Sequence, residues 1–485
     1  MKDTTAERGC KSGSEITFQR VAGWVDEGQA FTAYGGLSLV HQLAYRLGFH
    51  DQINSRVSVL KLRQGYRESD HLFHILCGVF AGADCMEDIG ALQADENYRR
   101  MLGVARVSDP TTVGAFLRRF GRRDLNDLKA GIWAMRQQVW RKLGKRLSSH
   151  VSLDLDSRVC PVYGEQKKGA DYSYQGSFAY HPEMLSLAET GEWLDVVNRP
   201  GNEPSGTRAA YLLRRNLPQL RDHFASVCVR GDTKFGTTDV LTVAARYGAG
   251  VCLCWASSPA LVKMADELPE TAWQNLQRHP VKASSQPGKR RKRGRNLRRL
   301  KARRRGYTDK KLKAEMVAEF TYHPTRKRKK MQHAYRMIVI RKQIEVACET
   351  ALLDQYQYRF ILTDLAEVHL DRLVKYAYGR SNQENLIEQA KNGVSAFRMP
   401  TAEMLANEVW MTTAMMAQNF KSWICLLALG KEKLGWEWKR FRLHFVYLVA
   451  RVKRAARQIQ LWLNPAHPDA ATVVSALRTL APGSG

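Results

Sequence analysis

Hydrophobic spacing divides the chain into two textures. Over residues 1–145 the pattern is mostly helical, with no long alternating stretch. In SDPTTVGAFLRRFGRR (108–123), Val113, Phe116, Leu117 and Phe120 recur at helical intervals, behind a Ser108 or Asp109 cap and a first-turn Pro110. Arg118, Arg119, Arg122 and Arg123 fall off that stripe. The segment fits a helix-turn-helix-like DNA module as well as an ordinary amphipathic helix.

From 149 the period changes to two. In HVSLDLDS, Val151, Leu153 and Leu155 alternate with Ser152, Asp154 and Asp156, which predicts a strand ending in carboxylates. Short strands are expected near 177–180 and 192–197, a helix around 206–222, and a second Asp-terminated strand at SVCVRGD (226–232). A helix at 237–247 and a strand at 250–255 follow. Another strand-and-helix unit resumes at YRFILTDL (358–365). Strands alternating with helices imply an α/β sheet with covering helices. Residues 256–355 break the rhythm with a basic run and with EFTYH (319–323) and AYRMIVIRKQ (334–343), which read as strands of an insertion. After 430 the chain reads helical and basic, and 438–463 reads as amphipathic.

GRSNQENLIEQAKNG (379–393) sets Arg380, Glu384 and Lys391 at intervals of four and seven. At about 100° per residue they share an arc of roughly 40° beside Ile387, with Leu386, Ala390 and Val394 to one side. Two ordinary explanations exist. Ser381 and Glu384 form a capping-box pattern, and Arg380 with Glu384 is an i,i+4 ion pair.

Charge alters the picture. The 485 residues carry 76 Lys+Arg against 47 Asp+Glu, a net +29, and such a chain favours a polyanionic partner. Between Lys282 and Lys330 stand 21 Lys/Arg and 3 acids. Within that stretch, GKRRKRGRNLRRLKARRRG (288–306) has no acid and includes Arg290, Arg291 and Arg293. Such a run grips phosphate backbone with little base preference. The nine cysteines show no metal-ligand spacing, the opening MKDTTAERGCKSG has no signal-peptide pattern, and apolar runs such as WICLLALG (423–430) are far short of a bilayer span. A cytoplasmic protein with free thiols and no membrane contact is expected.

Asp156, Asp232 and Glu384 are then the candidate chemistry. Three carboxylates in one site repel each other unless cations neutralise them, and two Mg²⁺ ions do so while activating water and a phosphodiester. The motifs resemble those of the DDE transposases of bacterial insertion sequences, in the branch marked by a Tyr-Arg-Glu-Lys signature. Arg380, Glu384 and Lys391 match its Arg-x3-Glu-x6-Lys spacing, but Ala377 stands at the Tyr position, so that Tyr378 or Tyr376 must substitute. LDLDSR resembles the first Asp motif with Arg158 in place of Thr, and VRGDTKF, with Arg230, resembles the second. VYGEQKKGADYSY (162–174), AYHPEM (179–184), NRPGN (198–202), YRMIVIRK and YRFILTDL look like further family stretches, and the likeness covers roughly 65–400.

The resemblance implies an RNase H-like catalytic core interrupted by a β-rich basic insertion, with helical terminal regions. The corresponding division is a 1–145 DNA-binding region, core at 146–255, insertion at 256–355, core again at 356–430 and a basic C-terminal region at 431–485. It implies two Mg²⁺ ions, with Mn²⁺ substituting, on Asp156, Asp232 and Glu384. Asp156 is favoured over Asp154 because the family ligand directly precedes a hydroxyl residue, here Ser157. It also implies double-stranded DNA as partner, a homodimer on paired ends, and phosphate or base contacts from Tyr378, Arg380, Lys391 and Arg230. Tyr322 or Tyr335 is a candidate for stacking on a displaced base, with core packing the alternative. The implied activity is cleavage at terminal repeats followed by attack of the freed 3′-OH on target DNA. A nuclease without strand transfer, or an inactive DNA-binding derivative, are the competing readings.

Overall fold

The computed structural model describes residues 31–61, 65–102, 104, 106–276, 310–326, 329–347, 352–379, 381–455 and 458–481. Helices dominate the described N-terminal residues, ending in α1 (Arg122–Leu143). Its buried Leu125, Leu128, Ile132, Met135 and Val139 recur every three or four residues, the stripe that a core-facing helix needs. The Asp124 carboxylate accepts the Gly121 N–H at 2.8 Å, satisfying a donor left over at the helix start. Gly144, with φ of 47°, ends the helix in a conformation that costs glycine least.

The main sheet has nine strands. In chain order they are β1 (His150–Ser157), β2 (Glu183–Leu187), β3 (Glu192–Val197), β4 (Ser226–Gly231), β5 (Gly250–Trp255), β6 (Gln274–Asn275), β7 (Lys310–Tyr322), β8 (Tyr335–Ala347) and β9 (Leu352–Thr363). Across the sheet they lie in the order β6-β7-β8-β9-β5-β4-β1-β2-β3. β1, β2 and β3 form an antiparallel meander. β1, β4 and β5 are parallel neighbours, and the connections into β4 and β5 carry α2 (Ala209–Leu220) and α3 (Thr238–Arg246). The chain is therefore mixed α/β, a large central sheet with helices around it. Of the segments 319–323 and 334–343, read as strands of an insertion, residues 319–322 belong to β7 and 335–343 to β8. These continue the same sheet through β9, which pairs with β5.

Alternation does not reveal β2. All five of its residues are buried, so the polar-out signal of a one-sided strand is missing.

Beyond β9 come α4 (Leu370–Tyr378), α5 (Ser381–Glu388), α6 (Met404–Ile424) and α7 (Trp438–Phe445). The amphipathic reading of 438–463 as helix is corrected here. α7 stops at Phe445, and Ala450–Ala455 pairs with Gln458–Leu463 as a hairpin whose first strand also meets Phe31–Thr32. Val446, Leu448, Ala450 and Val452 are buried while Tyr447 and Val449 are exposed. That two-residue period in β-branched and aromatic positions favours strand over helix.

Buried charges tie α1, β3 and α6 together. The Glu192 carboxylate accepts from the Trp140 indole at 2.9 Å, the Trp423 indole at 2.8 Å and Arg136 Nε at 2.9 Å. Lys129 lies 2.9 Å from Asp195 and 3.0 Å from Glu408, and Arg122 reaches Glu408 at 2.9 Å. Burial alone would raise the Asp195 carboxyl, but Lys129 and Arg215 outweigh it and hold it below the usual range. Replacing Glu192 by Gln leaves Arg136 buried without its counter-charge and turns an N–H donor toward an indole donor. We expect a loss of about 3–5 kcal/mol, read as a lower urea midpoint at unchanged slope.

Candidate catalytic site

β1 and β4 set the geometry. Asp154 pairs with Arg230 across the two parallel strands, so Asp156 and Asp232 both lie two residues further on, at adjoining carboxyl ends. Neighbouring strands are about 4.8 Å apart. Leu153 and Leu155 are fully buried in the core; Asp154 and Asp156 occupy the opposite face by the pleat.

The two aspartates of β1 differ in environment. Asp154 is 1% exposed and takes Arg230 Nε at 2.7 Å and Nη2 at 2.8 Å in a bidentate pair. Arg230 also donates to the Tyr376 carbonyl at 3.1 Å and lies 4.7 Å from that ring. Burial alone would lower the Arg230 guanidinium, yet hydrogen bonding and the charge of Asp154 hold it above its ordinary value. Arg230 was expected among the DNA contacts. Being buried and held by Asp154, it is a structural cation. Asp156, by contrast, is half-buried, and its Oδ1 accepts the Ser157 N–H at 2.8 Å.

Asp232 follows β4 in a tight turn, where its Oδ1 accepts the Lys234 N–H at 2.8 Å. The turn needs Gly231, since a Cβ there would come within 2.6 Å of the Phe235 Cβ. Beneath the β1 exit, Ser157 donates to Ser205 at 2.8 Å and lies 3.1 Å from His181 Nε2. Behind them the buried Arg199 is 3.1 Å from Glu183. Burial pushes the Glu183 carboxyl up to about 7, against the pull of Arg199.

α5 covers this same face. Gln383, Asn385 and Leu386 of α5 line a cavity of about 240 Å³ together with Asp154 and Ser186. Leu386, Ile387, Ala390 and Val394 are buried and Glu384 is exposed. Helical phase changes at Gln389–Gly393, which is a π turn. Lys391 sits inside it, off the α-helical arc expected from spacing, and is exposed. Its charge reaches Cys160, just past the β1 exit, where burial nevertheless pushes the thiol up to about 12.

Among the described residues no three His, Cys, Asp or Glu side chains are grouped to hold a metal ion; Asp156 and Asp232 adjoin, but Glu384 is not gathered with them. Arg380, Arg290, Arg291, Arg293 and all of 288–306 lie outside the described residues. Of the aromatic candidates near the signature, Tyr376 is fixed under Arg230 and donates or accepts with Ser152 at 2.8 Å, whereas Tyr378 is 39% exposed. Tyr335 is buried, and Tyr322 packs against Trp255. Arg118 and Arg119 are exposed. Sequence reasoning named Ser157 only as the hydroxyl residue after Asp156 and missed its grouping with His181 and Ser205; His181, within AYHPEM, was the one further signal.

The chain matches the model of a family described as Transposase DDE domain group 1 over residues 16–484. It belongs to that family. No curated protein matches it. Among solved structures, it is similar to the piggyBac transposase synaptic complex with hairpin DNA determined by cryo-EM, at 10% identity and a TM-score of 0.34, over 92% of this chain and 86% of that one.

The Asp154–Arg230 pair makes a prediction of its own. Arg230→Ala strands a buried carboxylate and should destabilise by about 3–5 kcal/mol. Removing both partners should cost clearly less than the two single losses added. A double-mutant cycle by urea unfolding checks this, and additive losses would show that the two side chains do not interact.

Proposed function

We propose that the chain is the transposase of a bacterial insertion sequence, from the Tyr-Arg-Glu-Lys branch, acting in the cytoplasm as a homodimer on double-stranded transposon ends and target DNA. The observation that carries this reading is the placement of Asp156 and Asp232 at the adjoining carboxyl ends of two parallel strands. The RNase H-like core, taken as 146–255 and 356–430, draws its support from the order β3-β2-β1-β4-β5, a meander joined to parallel crossovers. On this reading 1–145 binds DNA, 256–355 is the basic insertion and 431–485 is a basic accessory region. Among the described residues no helix is long and apolar enough to cross a membrane.

The donor set fits a hard divalent cation, since Asp156, Asp232 and Glu384 offer carboxylate oxygens only. Two Mg²⁺ ions, or Mn²⁺ in their place, would supply Lewis acidity and lower the pKa of a water when bound. The remaining work belongs to the chain. Asp156 lies at the end of β1 and Asp232 in the turn that follows β4, each with one oxygen anchored by a backbone N–H. The reading requires α5 to bring Glu384 up to them from the helix side. Lys391, Arg380 and Tyr378 grip the DNA end and orient the scissile phosphorus, and Arg118, Arg119 and the 288–306 run hold more distant backbone. Water oxygen then bonds to phosphorus as the 3′-oxygen leaves and takes a proton. In the second step that 3′-OH attacks a target phosphodiester and displaces its own leaving 3′-oxygen.

Asp232→Asn should abolish single-turnover cleavage of labelled DNA taken from the gene's flanks, while end binding stays within about twofold because phosphate contacts dominate affinity. The same should hold for Asp156→Asn and Glu384→Gln. Substantial cutting by Asp232→Asn, or death of Asp154→Asn with a stable fold and an active Asp156→Asn, defeats the assignment.

Neutralising six Arg/Lys within 288–306 should weaken terminal-repeat and random DNA alike. Counterion release makes the salt slope shallower by up to about 5 if all six touch phosphate. Loss confined to the terminal repeat would mean that the run reads bases.

A further inference from the structure

Main-chain N–H groups anchor both strand-end carboxylates, that of Ser157 for Asp156 and that of Lys234 for Asp232. The β1–β4 register runs to Asp154 and Arg230, two residues short of both carboxylates. A third segment, 203–208, touches both anchoring residues. Ser205 Oγ accepts from the Ser157 hydroxyl at 2.8 Å. The next residue, Gly206, packs so closely on the Lys234 carbonyl that a Cβ there would run into the oxygen. Its φ of 88° also favours glycine. The segment therefore bridges the exits of β1 and β4 where the strand register no longer does.

His181 holds this bridge. Its Nδ1 lies 2.9 Å from the Glu203 carbonyl, which can only accept, so Nδ1 carries the proton and Nε2 is the acceptor. Nε2 lies 3.4 Å from Ser205 Oγ and 3.1 Å from Ser157 Oγ. A directed chain results, from the Ser157 hydroxyl through Ser205 and the imidazole to the Glu203 carbonyl. Burial, with the Arg199 charge behind it, holds the His181 pKa below its ordinary value, which preserves the neutral, accepting ring. Two further buried side chains pin the same segment. Arg199 Nη1 donates to the Pro204 carbonyl at 2.7 Å, and Glu183 Oε2 accepts the Gly206 N–H at 3.0 Å. By the pleat, Ser157 shares the face of Leu153 and Leu155, opposite Asp156. The hydroxyl chain thus supports the site from beneath and stays clear of the reacting groups.

We propose that His181 is a positioning residue, acting through Ser205 and Gly206 to hold the Asp156 and Asp232 carboxylates at the separation that divalent cations require. The inference deepens the metal-dependent transposase reading above and rests on it. Partners that orient metal ligands commonly carry about 10–100-fold in affinity or activity although they touch no metal.

The test uses the full chain and Mn²⁺ alone, with bound metal read from loss of the free-ion electron paramagnetic resonance signal. Single-turnover cleavage of the labelled flanking DNA over a Mg²⁺ series accompanies it. Ser205→Ala removes the hydroxyl link and should weaken Mn²⁺ binding about tenfold. The Mg²⁺ concentration for half-maximal cleavage should rise by a similar factor, while DNA-end binding and the urea midpoint stay near those of the parent. His181→Ala should lose at least as much; if it fails to fold, Ser205→Ala decides alone. Ser205→Thr, which restores a hydroxyl, should bring Mn²⁺ affinity back to within about twofold of the parent. Parental Mn²⁺ affinity in a folded Ser205→Ala protein overturns the inference, and so does a loss that Ser205→Thr leaves unrepaired. Slow cleavage that no Mg²⁺ concentration restores, with Mn²⁺ affinity intact, overturns it too, by placing the hydroxyls in the chemistry. A parent that binds no Mn²⁺, or an Asp232→Asn variant that binds it equally well, defeats the metal reading itself and the inference with it.

Discussion

The candidate site depends on one buried ion pair between neighbouring strands. Asp154 and Arg230 pair across β1 and β4, and burying two charges is costly unless their geometry is good and their remaining groups are bonded. Here the contact is bidentate, and the third guanidinium nitrogen reaches the Tyr376 carbonyl. A slip of either strand by one residue would turn one charge into the core on the far face. The pair therefore fixes the register that brings Asp156 beside Asp232. Through Tyr376 it also fixes the end of α4, and hence where α5 begins its path over the same sheet face.

How far the sequence shows this follows from which faces are wet. β1 and β4 are legible because apolar residues mark one face or a short run with an Asp at its end, and β5 because GVCLCW is a short apolar run. β2 is not, since both of its faces are covered. The hairpin at 450–463 was masked by α7, whose Phe441 and Phe445 begin a helical stripe just before a two-residue period takes over at Val446. Nothing in QAKNG distinguishes a π turn from an α turn, because the extra residue is accommodated by the backbone, so the predicted arc of Glu384 and Lys391 could not be corrected from spacing. Arg230 was readable in part. An arginine inside SVCVRG, surrounded by strand-forming apolar residues, needs a buried acid, and Asp154 stands at the matching place in the neighbouring strand.

The cations thus fall into two populations that a net charge of +29 conceals. Arg136, Arg199, Arg230 and Lys129 are buried and paired with acids, and these staples hold helices to strands. They contribute nothing to attracting a polyanion, because their fields are cancelled where they arise. Exposed residues such as Arg118, Arg119 and Lys391 carry their charge at the surface. Composition counts both alike, which is why an Arg beside a candidate carboxylate reads so readily as a phosphate contact.

The two carboxylates at the strand ends and the helix-borne one also differ in how firmly they are placed. Asp156 and Asp232 each have an oxygen fixed by an adjacent N–H at 2.8 Å, and their strands are locked by Asp154–Arg230. A donor pair anchored in this way would suit the proposed role of accepting a small cation at short distance. Glu384 lies on a helix of eight residues that passes directly into a π turn, a rare geometry recurrent at functional sites. The helix stays seated through Leu386, Ile387 and Ala390, but its carboxylate projects to solvent. On the proposed reading, two carboxylates fixed at strand ends would be joined by a third donor from a less constrained element, so the strands would define where charge must be neutralised and the helix would complete the set.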